Sequence, residues 1–427
     1  MNTSALRFAA GNGLLDRRSF LKSGYGLSIA TAIGLSPAGR LLADSEPPMP
    51  TWMTSLGAAD SAYGSPSPHE SQVLRQLQPN TPQTAGFSIW HSPLQHQRGI
   101  ITPSGLHFAV HHNGVPAIEP ERHRLLIHGL VERPLQFDLQ RLMRYPMVSR
   151  IQFLECAGNT AANALSPSAL DGDCQALFGQ ISCSEWTGVP LSHLLREAGV
   201  KASARWVICE GADGGSHSRS LPLAKLMDDA IVAFYQNGER LRPSQGYPVR
   251  LFVPGWEGNV SIKWLHRLEV SDQPAFSKDE SGLYTRILSN DDILAFGFAM
   301  DVKSVITHPS GRQRLPELKG FYEISGLAWS GTGRIAKVEV SADNGRSWTQ
   351  AQLHGPVLDK ALTRFSIPWQ WTGAATTLLS RASDEQGHVQ PTRSEWRSRY
   401  AAHSFNHYNA IQAWRVGRDG TVENSYA

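Results

Sequence analysis

Two spacings of apolar residues divide the chain. In the run Ala336-Lys337-Val338-Glu339-Val340-Ser341 apolar and polar positions alternate with a period of two, which predicts a half-buried strand. Asp343-Asn344-Gly345 follows as a turn signal, with Trp348 just beyond it. Short strands are expected again near 321–328, 363–367 and 377–382. This rhythm predicts an all-β sandwich over residues 295–416, followed by a tail, 417–427.

Upstream the pattern is mixed. Arg124–Gly129 reads as a strand, Leu139–Tyr145 as a short helix stopped by Pro146, and Pro190–Ala198 as a helix with Leu191, Leu194 and Leu195 on one face. Trp206–Cys209 and Val249–Val253 read as buried strands, and the run through Ile151 and Phe153 as a strand ending near Leu154. Residues 96–290 are therefore expected to form an α+β domain rather than regular βαβ units. Residues 44–95 are interrupted by Pro47, Pro48, Pro50, Pro66, Pro68, Pro79 and Pro82. They predict an irregular lead-in with one short helix over 70–77.

Composition narrows the function classes. The chain has 427 residues and a net charge of +3, with no basic tract, so nucleic-acid binding has no support. No glycine-rich nucleotide loop occurs. The four cysteines, Cys156, Cys174, Cys183 and Cys209, form no Cys-x-x-Cys pair, which excludes a covalently attached c-type haem in this chain. Asp16-Arg17-Arg18-Ser19-Phe20-Leu21-Lys22 precedes a weakly apolar stretch, Gly24–Leu35. This looks like a twin-arginine signal spanning residues 1–43, expected to lie outside the fold and to direct the folded chain to the periplasm. The apolar stretch is too short and glycine-broken to predict a membrane span.

The candidate chemistry centres on Arg150–Ala164, RIQFLECAGNTAANA. Small residues after Cys156 let a backbone approach a large group closely. On chemistry alone Cys156 is a nucleophile, a redox thiol, a soft metal ligand or a buried structural cysteine. An apolar strand followed by Cys156-Ala157-Gly158-Asn159 resembles the molybdenum-cysteine motif of the sulfite oxidase family. The other motifs of that family follow in order. The resemblance implies that the Cys156 sulfur binds molybdenum beside the dithiolene of molybdopterin.

Further segments carry the same resemblance. Phe108–Pro116, FAVHHNGVP, places His111 and His112 near the cofactor. In Cys209–Pro222, CEGADGGSHSRSLP, Asp213 matches a pterin contact, with Ser216 and Ser220 nearby. Gln245–Lys263, QGYPVRLFVPGWEGNVSIK, offers Gln245, Arg250, Ser261, Ile262 and Lys263 to the cofactor, cations and amides being what its phosphate requires. Tyr284 falls where the family has a tyrosine beside the metal. VEVSADNGRSW resembles the family's immunoglobulin-like domain, which implies a homodimer.

Three positions depart from the family. Val110, Ala161 and His407 stand where it places the arginines that hold free sulfite. The chain from about 96 to 416 is most similar to the molybdenum subunit of sulfane dehydrogenase in the thiosulfate-oxidising Sox system. That implies an exported enzyme that oxidises sulfur held on a carrier protein and passes electrons to a separate cytochrome c subunit. The competing readings are a periplasmic sulfite dehydrogenase acting on free sulfite, a sulfoxide reductase, and a non-catalytic binding or scaffolding protein of the same fold.

Overall fold

The computed structural model describes residues 8–15, 49–57, 59, 62–78, 86–316 and 319–426. The arginine pair and the apolar stretch after it lie outside the described residues. Among the described residues no helix is long and apolar enough to cross a membrane.

Two five-stranded sheets frame the α+β domain. In the first, Val148–Glu155 pairs antiparallel with Ile181–Pro190, which pairs with Ile231–Gln236. Glu239–Arg240 and Arg250–Phe252 both pair with Ile231–Gln236. The second sheet runs Leu135–Phe137, Leu125–Gly129, Leu265–Ser271, Trp206–Gly211, Ser218–Pro222, with Leu125–Gly129 and Leu265–Ser271 parallel. The helix Leu191–Ala198 turns Leu191, Leu194 and Leu195 into the core between them, as the i, i+3, i+4 spacing demands. It ends at Gly199, which adopts φ +71°. The predicted helix after Asp138 is present but shorter, Leu139–Leu142, capped by the Asp138 carboxylate on the Arg141 N–H.

The C-terminal region is a sandwich of a four-stranded and a five-stranded sheet. Gly320–Trp329 lies between Lys303–His308 and Thr363–Trp371, and Ile335–Ser341 pairs with Thr376–Asp384. Trp329, Trp369, Trp371 and Trp414 fill its core. That core does not stop at the domain boundary. Phe153, Phe178 and Ile181 of the α+β domain belong to the same apolar cluster.

Three expectations are corrected. Residues 417–427, expected as a tail beyond the sandwich, include the strand Val422–Ser425, which pairs with Ala413–Val416 and buries Val422 in the sandwich core. The lead-in holds no helix over 70–77. A single 3-10 turn, Pro68–Glu70, is followed by the strand Gln76–Leu77, which joins Ser88–His91 and Ala109–His111 in a three-stranded sheet. Pairing with residues more than a dozen positions away overrides the local pattern. Residues 8–15, assigned to a leader outside the fold, pack on the sandwich. Leu14 is fully buried in its core, and the backbone bonds Leu15 N–H to Pro368 O (3.2 Å) and Gln370 N–H to Gly13 O (2.8 Å) extend its pairing.

Several ion pairs join the two domains, and the pair of Glu155 with Lys303 is among the most deeply buried. Glu155 and Lys303 are 0% and 2% exposed, and Lys303 Nζ lies 3.0 Å from Glu155 Oε1. Trp329 Nε1 donates to Glu155 Oε2 at 2.6 Å. Breaking such a pair from one side strands a buried charge, which costs about 3–5 kcal/mol, whereas removing both charges is far milder. Lys303→Met is therefore expected to lower stability by about that amount, and Lys303→Met with Glu155→Gln to recover most of it. Urea unfolding of the full chain measures both; an unchanged midpoint in the single variant would contradict the account.

Candidate active site

Cys156 is placed by the end of its strand and by a tight turn. Its N–H donates to Gln180 O (3.0 Å), and the Asn159 N–H returns to Cys156 O (2.9 Å). Asn159 Nδ2 then donates to Glu155 Oε1 (2.9 Å), while Thr160 takes φ +71° and bonds Tyr408 O. The His407 N–H donates to Ala157 O (2.8 Å). The turn is thus held from both domains.

The thiol opens into a cleft. Its wall gathers Val110, His111, His112, Cys156, Asp213, Gln245, Arg250, Ser261, Ile262, Lys263 and Tyr284. All were sequence candidates. Ser220, Ala161 and His407 do not line it. Ser220 instead clasps Ala275 and bonds Glu280, Ala161 opens the helix Ala161–Leu165, and His407 is buried with its Nε2 2.9 Å from Glu257 Oε2. His217, Ser244, Gly258 and Asn259 also line the cleft and were missed. His217 sits in the quoted glycine-rich loop, and its imidazole was a signal within reach.

The side chains fall into two groups. The first is cationic. Arg250, 2% exposed, donates to Gln245 O (3.1 Å) and Ser261 O (2.9 Å), while its Nε is buried without a hydrogen-bond partner. Burial draws its pKa down to about 9. Lys263 Nζ meets Val110 O and His111 Nδ1, both at 2.8 Å. Burial, then Arg250, lower its pKa well below the usual range, and burial with Lys263 takes His111 to about 3. Gly246, at φ +105°, lets the chain pass close: a Cβ there would come within 3.1 Å of Lys263 Cα. Like charges buried together without a carboxylate partner are stabilised by an anionic ligand.

The second group surrounds the thiol. Tyr284 follows a single π-turn, Asp279–Leu283, and its hydroxyl is 3.4 Å from His112 Nε2. His217 stacks near His112 (ring centroids 6.1 Å apart) and its Nδ1 lies 3.2 Å from Asp279 Oδ2. Burial, then the Cys156 thiol and Glu257, raise the Tyr284 pKa, so the phenol stays protonated. Burial pushes the Cys156 thiol up to about 11, with Glu257 and Glu155 adding to it. A bound soft cation reverses that balance and makes the thiolate its ligand.

Among the described residues no group of three or more His, Cys, Asp or Glu converges to hold a metal ion. A metal at Cys156 therefore needs further ligands from outside the protein. The residues fit a molybdopterin: one soft ligand and, in the same cleft, a cationic recess with an orphaned guanidinium nitrogen.

Comparison with known proteins agrees with this geometry. The "Oxidoreductase molybdopterin binding domain" family matches residues 112–278, and the "Mo-co oxidoreductase dimerisation domain" family matches 296–413. The sulfane dehydrogenase SoxCD of Paracoccus pantotrophus, a solved structure, is similar with a TM-score of 0.86 and 43% identity, over 89% of this chain and 98% of that one. The mitochondrial sulfite oxidase of Mus musculus is 29% identical over 364 residues, 79% of this chain and 64% of its own. Nitrate reductase 2 of Phaseolus vulgaris is 33% identical over 348 residues, 71% of this chain. The chain spans 39% of that enzyme's length. The chain belongs to the sulfite oxidase family of molybdopterin-dependent oxidoreductases. Within that family it stands close to the sulfane dehydrogenase structure.

Cys156→Ser replaces a soft ligand with a hard one. The wild-type chain is expected to carry about one molybdenum, and the variant to lose it. Elemental analysis of the purified proteins decides this; full molybdenum in the variant would remove Cys156 as the ligand.

Proposed function

We propose that the protein oxidises reduced sulfur held on a carrier protein, and that it passes the electrons to a c-type cytochrome subunit. The observation that carries this reading is the charge of the cleft's thiol end. Cys156, Tyr284, His112 and His217 lie there, and Arg219, behind Tyr284, is paired with Glu257 and Glu280 and does not line the cleft. A small free dianion is held poorly without fixed cations. Val110 presents only an apolar side chain to the cleft. The likeness to a sulfane dehydrogenase supports the same substrate class. The likeness to a sulfite oxidase supports sulfur chemistry in general and keeps free sulfite as the second reading.

When bound, molybdopterin supplies two-electron redox chemistry and oxygen-atom transfer to sulfur. Arg250, Lys263, Gln245 and Ser261 would hold it from the cationic recess, and Cys156 would supply the soft thiolate ligand to its metal. In each two-electron step sulfur gains one oxygen from water, and two protons and two electrons leave. Tyr284 Oη and His112 Nε2, 3.4 Å apart in the same cleft as Cys156, would offer hydrogen-bonding groups to those protons. The dimerisation-domain match supports a homodimer built on the sandwich. A carrier surface supplies binding energy outside the cleft, so a tethered sulfur needs no clamp of arginines.

The test compares kcat/KM for free sulfite and for a sulfane on a carrier cysteine, with one cytochrome acceptor. Charge-assisted hydrogen bonds contribute about 1.5–3 kcal/mol each, so the tethered substrate is expected to lead by about 100-fold or more. Sulfite as the better substrate at neutral pH would sink the proposal.

Export completes the reading. We propose that Arg17 and Arg18 send the loaded, folded chain to the periplasm. Arg17→Lys with Arg18→Lys is expected to leave it in the cytoplasm. Fractionation that finds the double variant at normal periplasmic levels would rule this route out.

A further inference from the structure

Behind the thiol lies a buried charge cluster that the mechanism above does not use. Glu257 is 2% exposed, and its Oε1 lies 2.9 Å from Arg219 Nη1. Its Oε2 lies 2.9 Å from His407 Nε2. Arg219, 1% exposed, also faces Glu280, with Nε 3.2 Å from Glu280 Oε2. Its Nη2 is buried without a hydrogen-bond partner, and its guanidinium sits 4.8 Å over the Tyr284 ring. One arginine is therefore shared between two carboxylates.

The cluster touches the reacting end of the cleft from three sides. Residues 155 and 257 form a parallel bridge, and a Cβ at Gly258 would come within 2.9 Å of Glu155 O, so the two segments pass closely. His407 holds Ala157 by its backbone, one residue past the thiol. Tyr284 covers Arg219 on the cleft side. Glu257 acts electrostatically on both Cys156 and Tyr284. In a medium of low dielectric a buried carboxylate repels a nearby anion more strongly than it would in water.

We propose that Glu257 determines specificity: together with Glu280 it outweighs the charge of Arg219 behind Tyr284, so that the cleft disfavours small free dianions relative to sulfur delivered on a carrier. The inference rests on the reading of the cleft given above and assigns its selectivity to a residue that touches no substrate. Glu257 is a positioning residue for charge. Its neutralisation leaves Arg219 matched by Glu280 alone and removes the surplus negative charge behind Tyr284.

The test uses the molybdenum-loaded full chain and inorganic sulfate as probe. Calorimetry measures sulfate affinity, and steady-state kinetics the ratio of kcat/KM for sulfite to that for carrier-bound sulfane. Glu257→Gln is expected to bind sulfate about 10- to 100-fold more tightly than wild type, with the sulfite ratio rising by a similar factor. Glu257→Asp, which keeps the charge, should stay near wild type. A Glu257→Gln chain with wild-type molybdenum content and unchanged sulfate affinity would overturn the proposal. Should that variant fail to load molybdenum, His407→Arg shifts the same balance by adding a cation, and no gain in sulfate affinity there is equally fatal. Sulfate is not a substrate, so this readout is independent of which sulfur compound is oxidised. If wild type prefers sulfite while Glu257→Gln still gains sulfate, the reaction reading fails and the charge cluster stands.

Discussion

A carboxylate with no access to water organises this molecule. Glu155 ends the strand that delivers Cys156, and a buried carboxylate is tolerated only when its charge and lone pairs are matched. The matches come from far along the chain: Lys303 and Trp329 from the sandwich, Asn159 from the turn itself. Lys303 also reaches Thr160 Oγ1 at 3.0 Å, so one ammonium ties both ends of the turn. The position of the thiol is therefore a property of the interface between domains. The two family matches, 112–278 and 296–413, divide the sequence at a place where the physics does not divide.

The cleft separates two electrostatic tasks within one space. The recess around Arg250 and Lys263 carries cations that, among the described residues, form no ion pair and are offset only by Asp213 in the same cleft. The region around Cys156 carries an arginine, Arg219, whose charge the chain provides for twice over. An anion is thus invited at one end and balanced away at the other. A single volume can then hold a highly charged cofactor and remain selective toward what approaches it.

Much of the fold was written in local pattern. The alternation over 336–341 and its Asp-Asn-Gly turn correspond to the strand Ile335–Ser341 and the loop after it, and the leucine spacing after Pro190 to a real helix. The lead-in strands were not, because a two- or four-residue strand has too little periodicity to read and depends on remote partners. The cleft residues were found through motifs, which carry information that spacing alone lacks. Glu257 and Arg219 escaped because a charged residue in a Gly- and Pro-rich loop looks solvated. Only the folded structure reveals that both are buried. Glu257 lies between Trp256 and Gly258 in a run otherwise apolar or small, and that context was the one available hint.

The docking of residues 8–15 changes what a cut near the N-terminus would mean. Asn12, Gly13 and Leu15 bond into the sandwich by backbone and side chain, and Leu14 occupies a closed seat within it. Severing the chain anywhere between residues 15 and 49 would release a piece of sheet rather than a loose tail. Once that piece diffuses away it leaves a leucine-sized void, and voids of that kind weaken a core by about 2–5 kcal/mol. The uncut and the cut chain would then be two proteins of unequal robustness sharing one active site, and the difference would be set by a segment far from the chemistry.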